Sequence, residues 1–556
     1  MRKKMAVLLS IIVVIVTVLA GCSGSGKNNG STGNTGNTGG EPTQNAGNTE
    51  QPSSEPVEFS MFAVQQTTPM ETNMFTKAME EKFNVKIKWE LAPADGLQER
   101  KQLALASGDY PEVFLEGKFN KSDQQRYGKQ GVLIPLNDLI EEYAPNVKKA
   151  FEDIPYLKDA ITAPDGNIYG LPRVNECYHC TYSFKFWINK EWLDNLGLPL
   201  PETTEDFYNV MKAFKEQDPN KNGKNDEIPM TGADPKSVWN GNFDAFLMNA
   251  FIYNDSSRYL TVKDGVVDFV ANKEEWKEGL AFMRKLYSEG LIDPAAFTQN
   301  DQALSQLGNI EGDERIGAFS AALHGYALNA WDEEIDRHKH WVILPPIKGP
   351  NGAQWAGYEA GISEVQFAIT NKATEEQQIA AIKMMDYFFT EEGTILKEYG
   401  LEGYGWRDAN ADEKDIHGNP AKYSFENMPE REDSDTVGDR WQLMGPSMLT
   451  AGFRDSIAAP QDENNYEVKL HYASQKYEPY AAKDIAYPTS VFIRMDDVDA
   501  EAQIRTAITD YVKTSMAQFI TGNKSLDKDW DSYIKGLDGL RLNEYIAIYQ
   551  RAIEAE

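Results

Sequence analysis

Cysteine is nearly absent from this chain: Cys22, Cys177 and Cys180 are the whole supply in 556 residues. A fold held mainly by a disulfide framework is thereby excluded. Histidine is almost as sparse, at six. No G-x-S-x-G or H-E-x-x-H occurs, so neither of those hydrolase signatures is available. Positive charge is also in short supply, with 55 Lys and Arg against 86 Asp and Glu and a net charge of −31. Nucleic-acid binders carry a basic footprint, and broad contact with an anionic membrane surface needs cations as well. Both partners are disfavoured. A spanning helix needs about 20 apolar residues, and the uncharged stretch at residues 5–20 falls short.

That stretch follows Met1-Arg2-Lys3-Lys4 and ends in Leu19-Ala20-Gly21-Cys22. A basic start, a short apolar core and small residues before a cut site make a secretory signal over residues 1–21. The cysteine directly after the small pair resembles the lipobox of bacterial lipoproteins. The resemblance implies a lipid on Cys22 and a protein held on the outer face of the cell membrane. Residues 22–56 are dominated by Gly, Ser, Asn, Thr and Pro. They cannot bury enough apolar surface to offset their ordering entropy and read as a flexible leash with a reach of about 30 Å. The rest, from residue 57, is 500 residues long, enough for more than one lobe.

The body opens with a pattern of alternating layers. Val57-Glu-Phe-Ser-Met-Phe62 alternates like a strand. Residues 73–83 place Phe75, Met79 and Phe83 on one helical face. Residues 85–91 alternate again, 96–107 read as a helix, and 108–115 turn into a buried strand. Strand, helix, strand, helix, strand predicts an α/β fold with a parallel sheet. Residues 184–196 carry a strand passing into a helix stopped at Gly197. Thr204 is expected to cap the next helix, with Glu205 and Asp206 in its first turn. Ile504, Ile508, Tyr511, Val512 and Phe519 mark a long amphipathic helix near the end.

Three segments offer residue types that ligate metals. Asp218, Asn220, Asn222 and Asp226 stand at loop positions one, three, five and nine, with Gly223 at six. This spacing wraps a chain around Ca²⁺. Lys224 at seven would offer its backbone carbonyl. Pro229 stands where an EF-hand has its bidentate Glu, and Glu227 could supply that carboxylate instead. The bland reading of the same loop is a set of Asx-turns. Cys177-Tyr178-His179-Cys180 is a lone C-x-x-C. A structural zinc site usually takes four protein ligands, and no second pair exists. The pair is read first as structural, either as thiols or as a local disulfide, with metal and redox roles left open. His338-Lys339-His340 is a weak metal cue on an expected solvated loop.

In order along the chain, residues 106–114 (A-S-G-D-Y-P-E-V-F), 131–138, 165–172, 187–197, 289–293, 357–393 and 519–527 resemble the bacterial extracellular solute-binding proteins that serve carbohydrate ABC importers. The tail, with Trp530 and Tyr533, is similar to the long Gram-positive lipoprotein subgroup, and the 218–227 loop to one that holds calcium in alginate-binding relatives. The resemblance implies a two-lobed periplasmic-binding-protein-like fold with a hinge and an interlobe cleft. Lobe one would span 57–185 plus about 362–412, and lobe two about 186–361 plus 413–556. It implies a monomeric, non-catalytic receptor that closes on an oligosaccharide and hands it to membrane permease subunits. Calcium would be structural. Sugars bind on aromatic faces with a few polar groups. Trp355, Tyr358, Glu359, Trp406, Trp239 and Trp441 sit in expected loops and are candidates, with Arg173 as a hydrogen-bond donor or carboxylate partner. Trp89, Trp192, Trp276 and Trp530 lie in patterned segments and are expected in the core; Trp187 could take either role. The competing readings are a lipid-anchored polysaccharide hydrolase, which needs a suitably spaced carboxylate pair, and a receptor for peptides, metals or signalling.

Overall fold

Strand β1 (Val57–Val64), helix α1 (Met74–Phe83), strand β2 (Val85–Ala92), helix α2 (Leu97–Ser107) and strand β3 (Val113–Phe114) follow one another in the computed structural model. It describes residues 55–330, 336–359, 361–362, 364–425, 428, 433–434 and 436–555. The expected signal, Cys22 and the leash up to residue 54 lie outside them. Glu55–Glu556 is one unit.

Strand β1 pairs in parallel with both β2 and β3, as the alternating layers predict. A return strand, Ala368–Ile369, adds antiparallel to β3. The alternation seen in β1 stops at Met61, because Met61, Phe62 and Ala63 are all buried. A central strand covered on both faces has no solvent side to keep polar. Its neighbour β2 stays alternating, with Lys86 and Lys88 outward. Helix α1 starts where the Asn73 side chain accepts the Thr76 N–H at 3.1 Å and stops where Asn84 turns left-handed. One large core gathers these elements with residues from 362–389, and includes Trp441.

Strand β4 (Arg173–Asn175) and the short helix α3 (Tyr178–Thr181) lead into a second core, whose three-stranded sheet starts from β5 (Phe186–Asn189). Helices α4 (Lys190–Leu196) and α5 (Thr204–Glu216) follow, then strands β6 (Ala318–Ser320) and β7 (Trp341–Leu344), which flank β5 antiparallel. Gly197 ends α4 at φ 66°, the left-handed turn that favours glycine. Helix α5 is capped by Thr203, one residue before the expected Thr204. The Thr203 hydroxyl accepts the Asp206 N–H, and the Asp206 carboxylate reaches back to the Thr203 N–H, each at 3.1 Å. The reciprocal pair is a capping box, and it shifts the helix start. Phe207, Val210, Met211 and Phe214 face the core. Trp187, Trp192 and Trp276 are wholly buried, while Trp89 and Trp530 pack at core edges. The long helix Val498–Thr521 closes this core with Ile504, Ile508, Val512 and Phe519. No helix of the described residues is long and apolar enough to cross a membrane.

Candidate functional site

Helix α6 (Glu391–Tyr399), strand β8 (Ser447–Leu449) and helix α7 (Tyr466–Gln475) complete the surroundings of β4. Strand β8 pairs in parallel with β4, Ser447 beside Arg173. The pairing brings together residues more than two hundred positions apart in sequence. It opens a cavity of about 1220 Å³ lined by the 173–180 segment, Tyr399, the 416–425 region, Leu443, Arg454–Asp455 and α7. Small-molecule sites commonly measure about 300–1,000 Å³, so this one has room for an extended ligand.

Rings run along one wall. Tyr178 lies 5.0 Å from His471, and His471 5.4 Å from His417. Tyr399, stacked on Phe425 at 4.1 Å, lines the same cavity. Of the six histidines in the chain, His179, His338, His417 and His471 line this cavity. His338 is buried, which corrects the expectation at that residue alone, since Lys339 and His340 are exposed as expected. Carboxylates answer two of the imidazoles: His179 Nε2 meets Glu467 at 3.3 Å, and His417 meets Asp455 at 3.3 Å. Glu467 is 61% exposed in its side chain but enclosed by the cavity walls. Lost hydration pushes its carboxyl up, and the His179 hydrogen bond and nearby cations outweigh that and hold it low. Burial and the neighbouring His417 hold His471 below the usual range. A wall of rings, imidazoles and paired carboxylates presents flat faces and hydrogen-bonding groups together.

Arg173 reaches this wall from β4, but its guanidinium is already engaged. It donates to Glu398 through Nε at 2.8 Å and through a terminal nitrogen at 3.0 Å. Glu398 also accepts from Ser447 at 2.7 Å and pairs with the fully buried Lys397 at 2.9 Å. Burial alone would raise the Glu398 carboxyl. Lys397 and Arg173 outweigh it and hold the group far below the carboxylate range. Arg454 donates to Asn175 through Nε at 3.2 Å.

The other expected ligand residues are distributed differently. Trp441 is wholly buried in the first core, its indole N–H donating to Thr76 at 2.8 Å and its ring edge-on to Phe75 and Trp89. Trp406 is 8% exposed, donates to the Gly400 carbonyl and packs against Tyr423. Both loops lie over packed cores, so these indoles are core residues and not free platforms. Trp239 and Trp355 are half-buried. Tyr358 lies 6.3 Å from Tyr182. Glu359 is exposed, accepts from Ser183 at 3.0 Å, and its backbone N–H donates to the Thr181 carbonyl at 3.0 Å. Its carboxyl is raised chiefly by lost hydration, an effect that the remaining water limits. Tyr358 and Glu359 thus touch residues at the end of α3 and do not themselves line the cavity.

The α3 turn is held twice over. Cys177 and Cys180 are joined in a disulfide with Cα atoms 5.2 Å apart. Beneath it the fully buried Lys185 donates to the His179 and Tyr182 carbonyls at 2.6 and 2.5 Å. Burial without a counter-ion lowers the Lys185 ammonium from its ordinary 10.5 to about 7. The folded protein therefore holds this proton less tightly than the unfolded chain. The Lys185 contribution to stability rises with pH from about 7 to about 10.5, by at most about 1.4 kcal/mol per pH unit. In urea titrations at pH 7 and 9, wild type should gain stability relative to Lys185→Met; a pH-independent difference would refute the assignment.

The 218–227 loop lies between α5 and the residues beside Ile316. Its oxygens fold inward: Asp218 accepts the N–H groups of Asn222 and Gly223, each at 3.1 Å, and Asn222 accepts that of Lys224 at 2.8 Å. Asp226 accepts from the Asn222 amide at 3.1 Å and lies 3.4 Å from Arg315. Both carboxylate oxygens of Glu227 are buried with no hydrogen-bond partner. Burial, then Asp218 and Asp226, push its carboxyl up. An orphaned buried carboxylate beside two more acids fits a bound cation, which satisfies all three at once.

The family model described as bacterial extracellular solute-binding protein matches residues 67–395. The fructooligosaccharide ABC transporter substrate-binding protein FusA of Streptococcus pneumoniae is 30% identical, over 88% of this chain and 89% of its own length. A solved structure of a FusA EF-hand mutant with fructo-nystose superposes with a TM-score of 0.71 at 26% identity, covering 89% of this chain and 99% of that one. The alginate-binding protein AlgQ2, solved without calcium ion, shares the fold with a TM-score of 0.68 at 22% identity, over 90% of this chain and 99% of that one.

Proposed function

The chain belongs to the bacterial extracellular solute-binding proteins, and from that premise we propose that it captures an oligosaccharide for an ABC importer. The ligand enters the cavity of about 1220 Å³, the lobes close on it, and separate permease chains receive it. The observation that carries this reading is the cavity wall itself, where Tyr178, His471, His417 and the Tyr399–Phe425 pair set ring faces beside hydrogen-bonding groups. Sugars offer apolar C–H faces and a rim of hydroxyls, the complement of such a wall. Arg173 belongs to this site. Tyr358 and Glu359 border it through α3, and Trp239 and Trp355 are candidates for its extension.

The protein acts as a receptor and not as an enzyme. The support for this is membership of a family of substrate-binding proteins. Within the cavity Glu467 and Asp455 each face an imidazole, and recovery of the sugar after binding reads any hydrolysis by Glu176, Asp462 or Glu478. The lobe limits that go with this reading are 57–185 plus about 362–412, and about 186–361 plus 413–556; the two large cores follow this division in the main, with Trp441 and Met444 as exceptions that pack in the first core. The rest of the proposal is a monomer tethered outside the membrane by lipid on Cys22, with a structural Ca²⁺ in the 218–227 loop. Asp218, Asn220, Asn222, Asp226 and Glu227 would hold the ion through side-chain oxygens and Lys224 through its carbonyl.

A thermal-shift screen tests the central claim. Kestose, nystose and oligogalacturonides are added in the presence of calcium, and sugars are recovered afterwards. One class should raise the unfolding midpoint and come back intact. Released reducing ends would turn the reading to a hydrolase, and no shift across the panel would refute sugar capture.

A further inference from the structure

The C-x-x-C pair lies apart in sequence from the 218–227 loop and sits in the cavity wall: Cys177, Tyr178, His179 and Cys180 all line it. We infer that the Cys177–Cys180 disulfide is a positioning element of the ligand site, which holds the α3 turn so that Tyr178 and His179 meet the sugar. The inference rests on the sugar-binding reading and deepens it.

The bond closes a loop of sequence separation 3. Stabilisation of the whole fold grows with the length of the loop closed, so this bond adds little to global stability. Its effect is local. Without it, the Cys180 and Thr181 N–H groups still bond the Cys177 carbonyl at 3.0 and 3.1 Å, and Lys185 and the Glu359 N–H still hold the His179, Thr181 and Tyr182 carbonyls. Those outside bonds reach only the later part of the turn, so its start at Cys177 and Tyr178 depends on the disulfide and on a helix too short to persist by itself.

The side chains that this turn presents are committed in direction. Tyr178 packs on His471 and donates to Glu478 at 2.8 Å. His179 sits between the Cys180 sulfur, 3.9 Å from Nδ1, and Glu467, 3.3 Å from Nε2. The turn thus carries one aromatic face and one imidazole across to α7. Relaxing its backbone by an ångström removes both from register with the opposite wall. Binding groups that must be ordered on binding give up part of their contribution to affinity.

The chemistry is thiol–disulfide exchange with an added dithiol. The dithiol gives up two electrons and two protons and becomes a cyclic disulfide, and Cys177 and Cys180 become thiols. Cys177 is buried and Cys180 partly exposed, so attack is expected at Cys180.

The test is calorimetric titration of the purified protein with kestose, nystose and oligogalacturonides, before and after dithiothreitol, beside the unfolding midpoint of each form. Oxidised protein should bind one of these sugars. Reduction should weaken that binding at least tenfold while the protein stays folded at the assay temperature, and reoxidation should restore it. The Cys177→Ser/Cys180→Ser variant should match reduced wild type and ignore dithiothreitol. Tyr178→Ala and His179→Asn should each weaken binding in the oxidised form and make reduction matter less. Equal affinity before and after reduction overturns this inference alone. So does loss of binding that merely follows global unfolding. Failure of oxidised protein to bind any of the sugars overturns it together with the reading on which it rests.

Discussion

Replacing Glu398 with alanine will destabilise the protein by about 3–5 kcal/mol, because it leaves buried cations without their counter-charge. Lys397 is fully buried and Arg173 is 16% exposed in its side chain. Lys397 also donates to the Met444 carbonyl at 2.6 Å, so it cannot swing out to water without breaking the turn that carries Leu443 to the cavity. Glu398→Gln keeps the shape and loses the charge, and should recover only part of the loss. The pH dependence has a definite sign. The Glu398 carboxyl is depressed in the folded state, so its contribution is complete above the ordinary carboxylate value of 4.5 and is lost as pH falls below it. Urea unfolding at pH 7 and pH 3.5 checks this: the gap between wild type and Glu398→Gln should narrow at the lower pH. A gap that stays constant, or an alanine variant as stable as wild type, would show that the triad is not the anchor of this wall.

Chelating calcium should lower the unfolding midpoint, and restoring about 100 times Kd should return about 2.7 kcal/mol. The basis is Glu227, whose buried oxygens lack partners and whose charge is opposed by Asp218 and Asp226. The sign of Glu227→Gln separates this account from a purely structural one. Without calcium the variant should equal or exceed wild type in stability, since it relieves like-charge repulsion. With calcium it should fall below wild type, since it has lost a charged ligand. A variant that trails wild type equally in chelator and in calcium would mean that Glu227 has only a packing role.

Both experiments concern groups of unequal legibility in the sequence. The turn at 218–227 could be read directly, because its inward-folded oxygens come from ten consecutive residues. The layered start was legible for the same reason: periodicity in β2 and α1 records which side meets the core. The buried run in β1 departs from alternation only because two layers cover it. The Thr203 cap was missed by one residue, since Thr203 and Thr204 are both competent and only the return bond from Asp206 chooses between them.

The cavity was less legible. Loop aromatics were sought beside Gly and Asn, which led to Trp406 and Trp441. A loop can be irregular in backbone and still lie on a packed core, and no local pattern records what lies beneath it. Tyr178, His417, Arg454, Glu467 and His471 were not singled out because no short window contains them. One signal was available: histidines are so few that finding four around a single cavity is informative, but only once their positions in space are known.

By itself, the sequence determined the class of the fold, the parallel order of the first strands, the oxygen-rich turn at 218–227 and the family resemblance, all properties carried by neighbouring residues or by motifs in order. Only the tertiary structure decided which walls face each other, that Arg173 is tied to Glu398, and that Trp441 is core. Those facts depend on the pairing of β4 with β8 and on packing between distant segments, where burial and charge are set by the partners that the folded chain supplies.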